Sequence, residues 1–120
     1  MKYKAYIDTY SMFWESTLGF KIKPTKQFYA RQGKTYKELT EHFTEGQIKL
    51  LIALHFDWKG VDDNDEKQLE WNKKCAFPPE WIIKKCSEYE MYLRKVVDFD
   101  DEEKVGEFYN KWIRNLQSNS

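Results

Sequence analysis

The segment Ile48-Lys-Leu-Leu-Ile-Ala-Leu-His-Phe56 is apolar at all but two of its nine positions. A helix with apolar residues on every side cannot lie on a surface. It belongs in the middle of a bundle, covered all round by other elements. Thr44-Glu-Gly-Gln47, just ahead of it, reads as a capping box: a hydroxyl at the N-cap and an amide three residues on. One fully buried helix needs several amphipathic ones around it, and the flanking sequence supplies them.

Tyr3, Tyr6, Ile7, Tyr10, Phe13 and Trp14 recur at steps of three and four, the stripe of a first helix. Gly19 suits its end, where a left-handed residue is often required. Phe20 and Ile22 anchor a short connection, and Thr25 suits the next N-cap. Phe28, Tyr29, Gln32, Tyr36, Leu39 and Phe43 carry a second stripe, with Gly33 as a weak point where the helix can break. Lys59-Gly60 ends the apolar helix. Asp62, Asp63 or Asp65 can start a weakly striped one through Leu69, Trp71 and Cys75. Pro78-Pro79 opens a helix through Trp81, Ile82, Ile83, Cys86, Tyr89, Tyr92 and Leu93 to about Lys95. Val96 to Phe99 link it to a last helix, begun by Asp100-Asp-Glu-Glu103 and striped by Val105, Phe108, Tyr109, Trp112, Ile113 and Leu116.

No β alternation, internal repeat or low-complexity tract interrupts this order. The expected fold is all-α: a single compact orthogonal bundle of five or six short helices over residues 1–116, with a frayed tail at 117–120. At 120 residues the chain has the size of one domain and needs no disulfide or metal to hold it. Cys75 and Cys86 stand eleven apart without a metal-binding spacing, so they read as two reduced thiols. The charged N-terminus lacks an apolar signal segment, and no run is long enough to span a membrane. The expectation is a soluble cytoplasmic protein.

Several chemical motifs fail on spacing. Gly33-Lys34-Thr35 resembles the end of a phosphate loop, but Phe28 holds the position of the required earlier glycine. Asp57, Asp62, Asp63, Asp65, Glu66 and Glu70 cluster without the glycine and terminal glutamate of a calcium loop. They read as helix-start charges, the alternative being a carboxylate metal site. His42, His55, Cys75 and Cys86 lack a zinc-finger spacing, and His55 fits a buried histidine of the apolar helix. Tyr36 to Ile48 has a helix-turn-helix flavour, yet only Gln47 and Lys49 could face base edges. No enzyme signature, cofactor motif or metal site emerges.

Charge is more informative. The chain is neutral overall, but residues 1–60 hold ten basic against six acidic side chains, and residues 61–120 ten against fourteen. Between Gly19 and Lys37 six basic residues occur with no acid. Lys21, Lys23, Lys26, Arg31, Lys34 and Lys37, with Tyr29 among them, fit a groove that tracks a nucleic-acid backbone while a ring stacks on a base. The alternative is a solvated or protein-docking face whose rings turn to the core.

The pattern Phe13-Trp14-Glu-Ser-Thr-Leu-Gly-Phe20, then Lys23-Pro-Thr-Lys-Gln-Phe28, the apolar helix Ile48–Trp58 and Pro78-Pro-Glu-Trp81 resembles small helical domains of phage and mobile-element replication proteins, of the replisome-organizer or helicase-loader type. The resemblance covers residues 10 to about 95. It implies contact with single-stranded DNA and with a replisome protein. The chain departs from that pattern in standing alone, without a winged-helix or ATPase domain. The expected function is a phage-type replication accessory protein, a DNA-binding adaptor. The alternative is a protein-binding inhibitor of a host or defence protein.

Overall fold

The computed structural model describes residues 1–57 and 66–118. Among these the fold is all-α, with six helices: α1 (Tyr3–Leu18), α2 (Lys26–His42), α3 (Glu45–Asp57), α4 (Glu66–Lys74), α5 (Glu80–Val96) and α6 (Glu102–Ser118). The expected stop at Lys59-Gly60 and the start at Asp62 to Asp65 lie outside the described residues. The last helix runs on past Leu116 to Ser118.

α3 is the axis of the bundle. Ile48 and Leu50 to Phe56 are all buried, with α1, α5 and α6 packed around them. Tyr6, Tyr10 and Phe13 of α1, Leu39 of α2, and Ile82, Tyr89 and Leu93 of α5 complete the core with Val105 of α6.

Local chemistry sets the helix ends. Gly19 takes φ +83° and returns its N–H to Glu15 O, closing α1. Thr25 Oγ1 accepts from Phe28 N at 3.1 Å and starts α2. α2 then continues through Gly33 without a break. The capping box forms in both directions: Thr44 N donates to Gln47 Oε1 at 3.0 Å and Gln47 N to Thr44 Oγ1 at 3.3 Å. Asp101 Oδ1 accepts from Glu103 N and Lys104 N, capping α6.

The connection between α4 and α5 is built differently. Ala76 and Phe77 both have positive φ, 57° and 43°. Such angles are costly for residues with a Cβ, at about 1–2 kcal/mol each, and Phe77 also precedes a proline. The turn is fixed from outside. Tyr10 Oη donates to the Phe77 carbonyl at 2.5 Å, and His55 Nε2 lies 3.2 Å from the same oxygen. Phe77 itself is fully buried against Phe56.

Candidate nucleic-acid interface

The basic stretch occupies the α1–α2 connection and the outer face of α2. Lys21 and Lys23 lie exposed in the connection, and Lys26, Lys34 and Lys37 lie exposed on α2. At 3.6 residues per turn those three fall within about 80° of arc, opposite the buried Gln32, Thr35 and Leu39. Lys26, Lys34 and Lys37 therefore share one face of α2, and Lys21 and Lys23 are exposed in the connection that leads into it. Arg31 differs. Its Nε and Nη2 meet Glu80 Oε1 and Oε2 at 2.5 and 2.7 Å, a two-pronged pair tying α2 to the start of α5. The guanidinium beside Glu80 holds that carboxyl below its usual range.

An aromatic fork lies where α1 meets the start of α2. Tyr10, at the centre, is 6.4 Å from Trp14 and 6.4 Å from Phe28, ring centre to ring centre. Trp14 meets Phe20 edge-on at 5.8 Å, and Phe28 meets Tyr29 edge-on at 5.4 Å. The two arms of this fork end in exposed rings: Phe20 is 56% and Tyr29 45% accessible. Each exposed ring is thus seated on a more buried one, an arrangement that holds a stacking surface still. Phe20, which the sequence places as an anchor of the connection, presents its ring to solvent. Trp71 on α4 and Tyr92 on α5 are also exposed.

A cavity of about 170 Å³ lies between the arms. Tyr10, Trp14, Phe28 and Gln32 form part of its wall, with Arg31 from α2 and Ala76, Pro78 and Pro79 from the strained turn. Gln32 is fully buried; its Oε1 accepts from Tyr6 Oη at 2.6 Å. Its Nε2 sits near enough to Tyr10 to favour the phenolate, but makes no hydrogen bond of ordinary geometry. Trp14 Nε1 is likewise buried without an acceptor. An unmet buried donor costs about 1–3 kcal/mol. Burial pushes the phenols of Tyr6 and Tyr10 well above their usual range, so both remain neutral donors.

Other motifs resolve structurally. His55 is buried, and desolvation lowers its pKa to about 4 against the opposing pull of the Phe77 carbonyl. The ring is therefore neutral and donates through Nε2. α3 cannot enter a DNA groove: Gln47 is buried and donates to Phe99 O at 2.8 Å, while Lys49 lies over the Tyr109 ring. Gly33-Lys34-Thr35 lies within α2, with Thr35 buried, rather than in a phosphate loop. Among the described residues no three His, Cys, Asp or Glu side chains converge to hold a metal ion. Asp62, Asp63 and Asp65 of the acidic cluster lie outside the described residues. Cys75 and Cys86 are free and half-buried. No helix of the described residues is long and apolar enough to cross a membrane.

No protein-family model, curated protein or solved structure matches the chain.

Proposed function

We propose that the protein binds the backbone of single-stranded nucleic acid, DNA foremost, through the α1–α2 connection and the outer face of α2, as an accessory factor in replication. One observation supports the reading: the α1–α2 connection and α2 together expose five lysines, and the same stretch exposes Phe20 and Tyr29 as rings braced from beneath. Lysines neutralise phosphates as point charges, and open rings accept any base by stacking. Arg31 contributes less, because Glu80 already holds it.

The test is fluorescence anisotropy with labelled single-stranded DNA across a salt series. Each phosphate neutralised adds about −0.7 to the slope of log K against log salt. A slope of about −3.5 is expected, falling to about −1.5 in the triple variant Lys23→Glu/Lys26→Glu/Lys34→Glu. Absence of binding at low salt, or an unchanged slope in the variant, would overturn the reading.

A second reading, a protein-binding module that engages a replisome component or inhibits a host factor, has its own observation. Met91, Tyr92 and Val96 leave apolar surface exposed on α5, with Met91 at 65% accessibility. Such residues serve as anchors for a partner protein. This reading takes precedence if oligonucleotides fail to bind.

A further inference from the structure

We propose that the exposed face of α5 is covered in solution by the same face of a second copy of the chain, the two helices running antiparallel about an axis between Met91 and Tyr92. The inference is independent of the nucleic-acid reading and gives the apolar surface of α5 one definite occupant.

The face is compact. At 3.6 residues per turn Lys84, Glu88, Met91, Tyr92 and Lys95 fall within about 100° of arc, and all five are exposed. They turn away from Ile82, Tyr89 and Leu93, which α5 buries against the bundle. Met91 at 65% and Tyr92 at 41% accessibility form an apolar centre. Glu88 lies on one side of that centre along the helix and Lys95 on the other. Neither has an ion-pair partner among the described residues. They are two turns apart, too far to pair along one helix, where partners stand three or four residues apart.

A second copy supplies the missing partners. In an antiparallel helix pair, facing residues have numbers of constant sum. An axis between Met91 and Tyr92 sets each of these against the other, and Glu88 against Lys95, and two-fold symmetry makes every contact twice. The same alignment brings Lys84 level with the turn after α5, where Asp98 is exposed. Other alignments do worse. A parallel pair sets Glu88 against Glu88 and Lys95 against Lys95. Sliding the antiparallel pair by one turn sets Lys84 against Lys95 in one direction and leaves Glu88 and Lys95 unmatched in the other. Like charges brought together are penalised, so charge fixes both direction and register. A contact between two helices of 17 residues is at the small end of protein interfaces, so the dimer is reversible and of micromolar affinity.

The experiment is sedimentation equilibrium of the full-length protein from micromolar to near-millimolar concentration. The parent should show a reversible monomer–dimer equilibrium. Glu88→Lys and Lys95→Glu each put like charges at both symmetric contacts and should each weaken the dimer about tenfold. The double variant Glu88→Lys/Lys95→Glu should recover the parent affinity. An equimolar mixture of the two single variants should form a heterodimer at concentrations where each alone is monomeric. Met91→Gln keeps a long, helix-favouring side chain and removes the apolar centre, and it should weaken the dimer at least as much. All three positions are exposed, so the variants should keep the parent's helical circular dichroism. A parent that stays monomeric throughout would overturn the inference and leave the α5 face to a different protein. A dimer indifferent to these substitutions would also overturn it, placing the contact elsewhere on the chain. Single variants that weaken the dimer, with a double variant that does not recover, would overturn the antiparallel arrangement.

Discussion

Gln47 and Gln32 are both buried and both sit on helices, yet they behave as opposites. Gln47 uses both ends of its amide, accepting from Thr44 N and donating to Phe99 O. Around it Thr44 Oγ1 donates to Glu102 at 2.5 Å, so α3 and α6 are stitched together with no polar atom left over. Gln32 uses one end. Among the described residues three buried side-chain polar atoms lack a partner: Gln32 Nε2, Trp14 Nε1 and His55 Nδ1. All three belong to the neighbourhood of Tyr10, whose ring lies 6.4 Å from Trp14 and 6.1 Å from His55. The strained Ala76–Phe77 turn is there too. One end of the bundle is closed and the other holds unmet hydrogen-bonding capacity. A chain that can satisfy a buried glutamine fully at one end has no general difficulty in doing so; the open corner is a property of that place.

The largest expected effect would break the corner by protonating it. His55 is neutral when folded, with a pKa of about 4 against 6.5 when exposed. Below pH 6.5 the unfolded chain takes up a proton that the folded one refuses, so stability falls with pH until about pH 4. The loss should approach about 3 kcal/mol. Urea unfolding at about pH 7 and about pH 4.5 measures it, and His55→Gln, which can still donate to Phe77 O, should flatten this part of the profile. An unaltered profile in that variant would show that His55 does not set it.

A pair of substitutions tests the two glutamines directly. Gln47→Leu strands the Phe99 carbonyl and the Thr44 N–H and should cost about 2 kcal/mol. The double variant Tyr6→Phe/Gln32→Leu removes both members of the other pair and should remain within about 1 kcal/mol of the parent. Equal losses in the two proteins would mean that the corner is as tightly built as the closed end. The smallest effect sharpens the comparison: Ala76→Gly relieves a left-handed alanine and should raise stability by about 1 kcal/mol in the same assay.

Features set by near neighbours along the chain are legible in the sequence itself. The all-round apolar pattern of α3, the stripes of α1 and α6, the Gly19 stop, the Thr25 cap and the Thr44–Gln47 box are short-range chemistry, and each forms as expected. The lysines are legible as a cluster because an exposed charge needs no partner to be noticed. What escapes depends on distant residues. Gln32 lies on the stripe of α2, but nothing in the sequence says that one of its donors will go unmet. The Arg31–Glu80 pair joins residues far apart in the chain, and it ties down a guanidinium that the basic stretch alone leaves free. Ala76 and Phe77 carry no turn signature at all; only the following prolines hint at a boundary. Tyr92 shares the spacing of the buried α5 residues and still faces solvent, because a helix stripe is wider than the surface it has to cover.

The acceptor that joins α1, α3 and the α4–α5 turn is the main-chain oxygen of Phe77 rather than a side chain. Its capacity to accept is the same for every amino acid. Substitution at position 77 is therefore screened by ring packing and backbone angle, and not by the bonding that holds the junction. Through divergence, the donors at 10 and 55 are the residues that must change together or stay, while position 77 answers to packing and backbone angle alone and keeps its accepting role whatever side chain meets them.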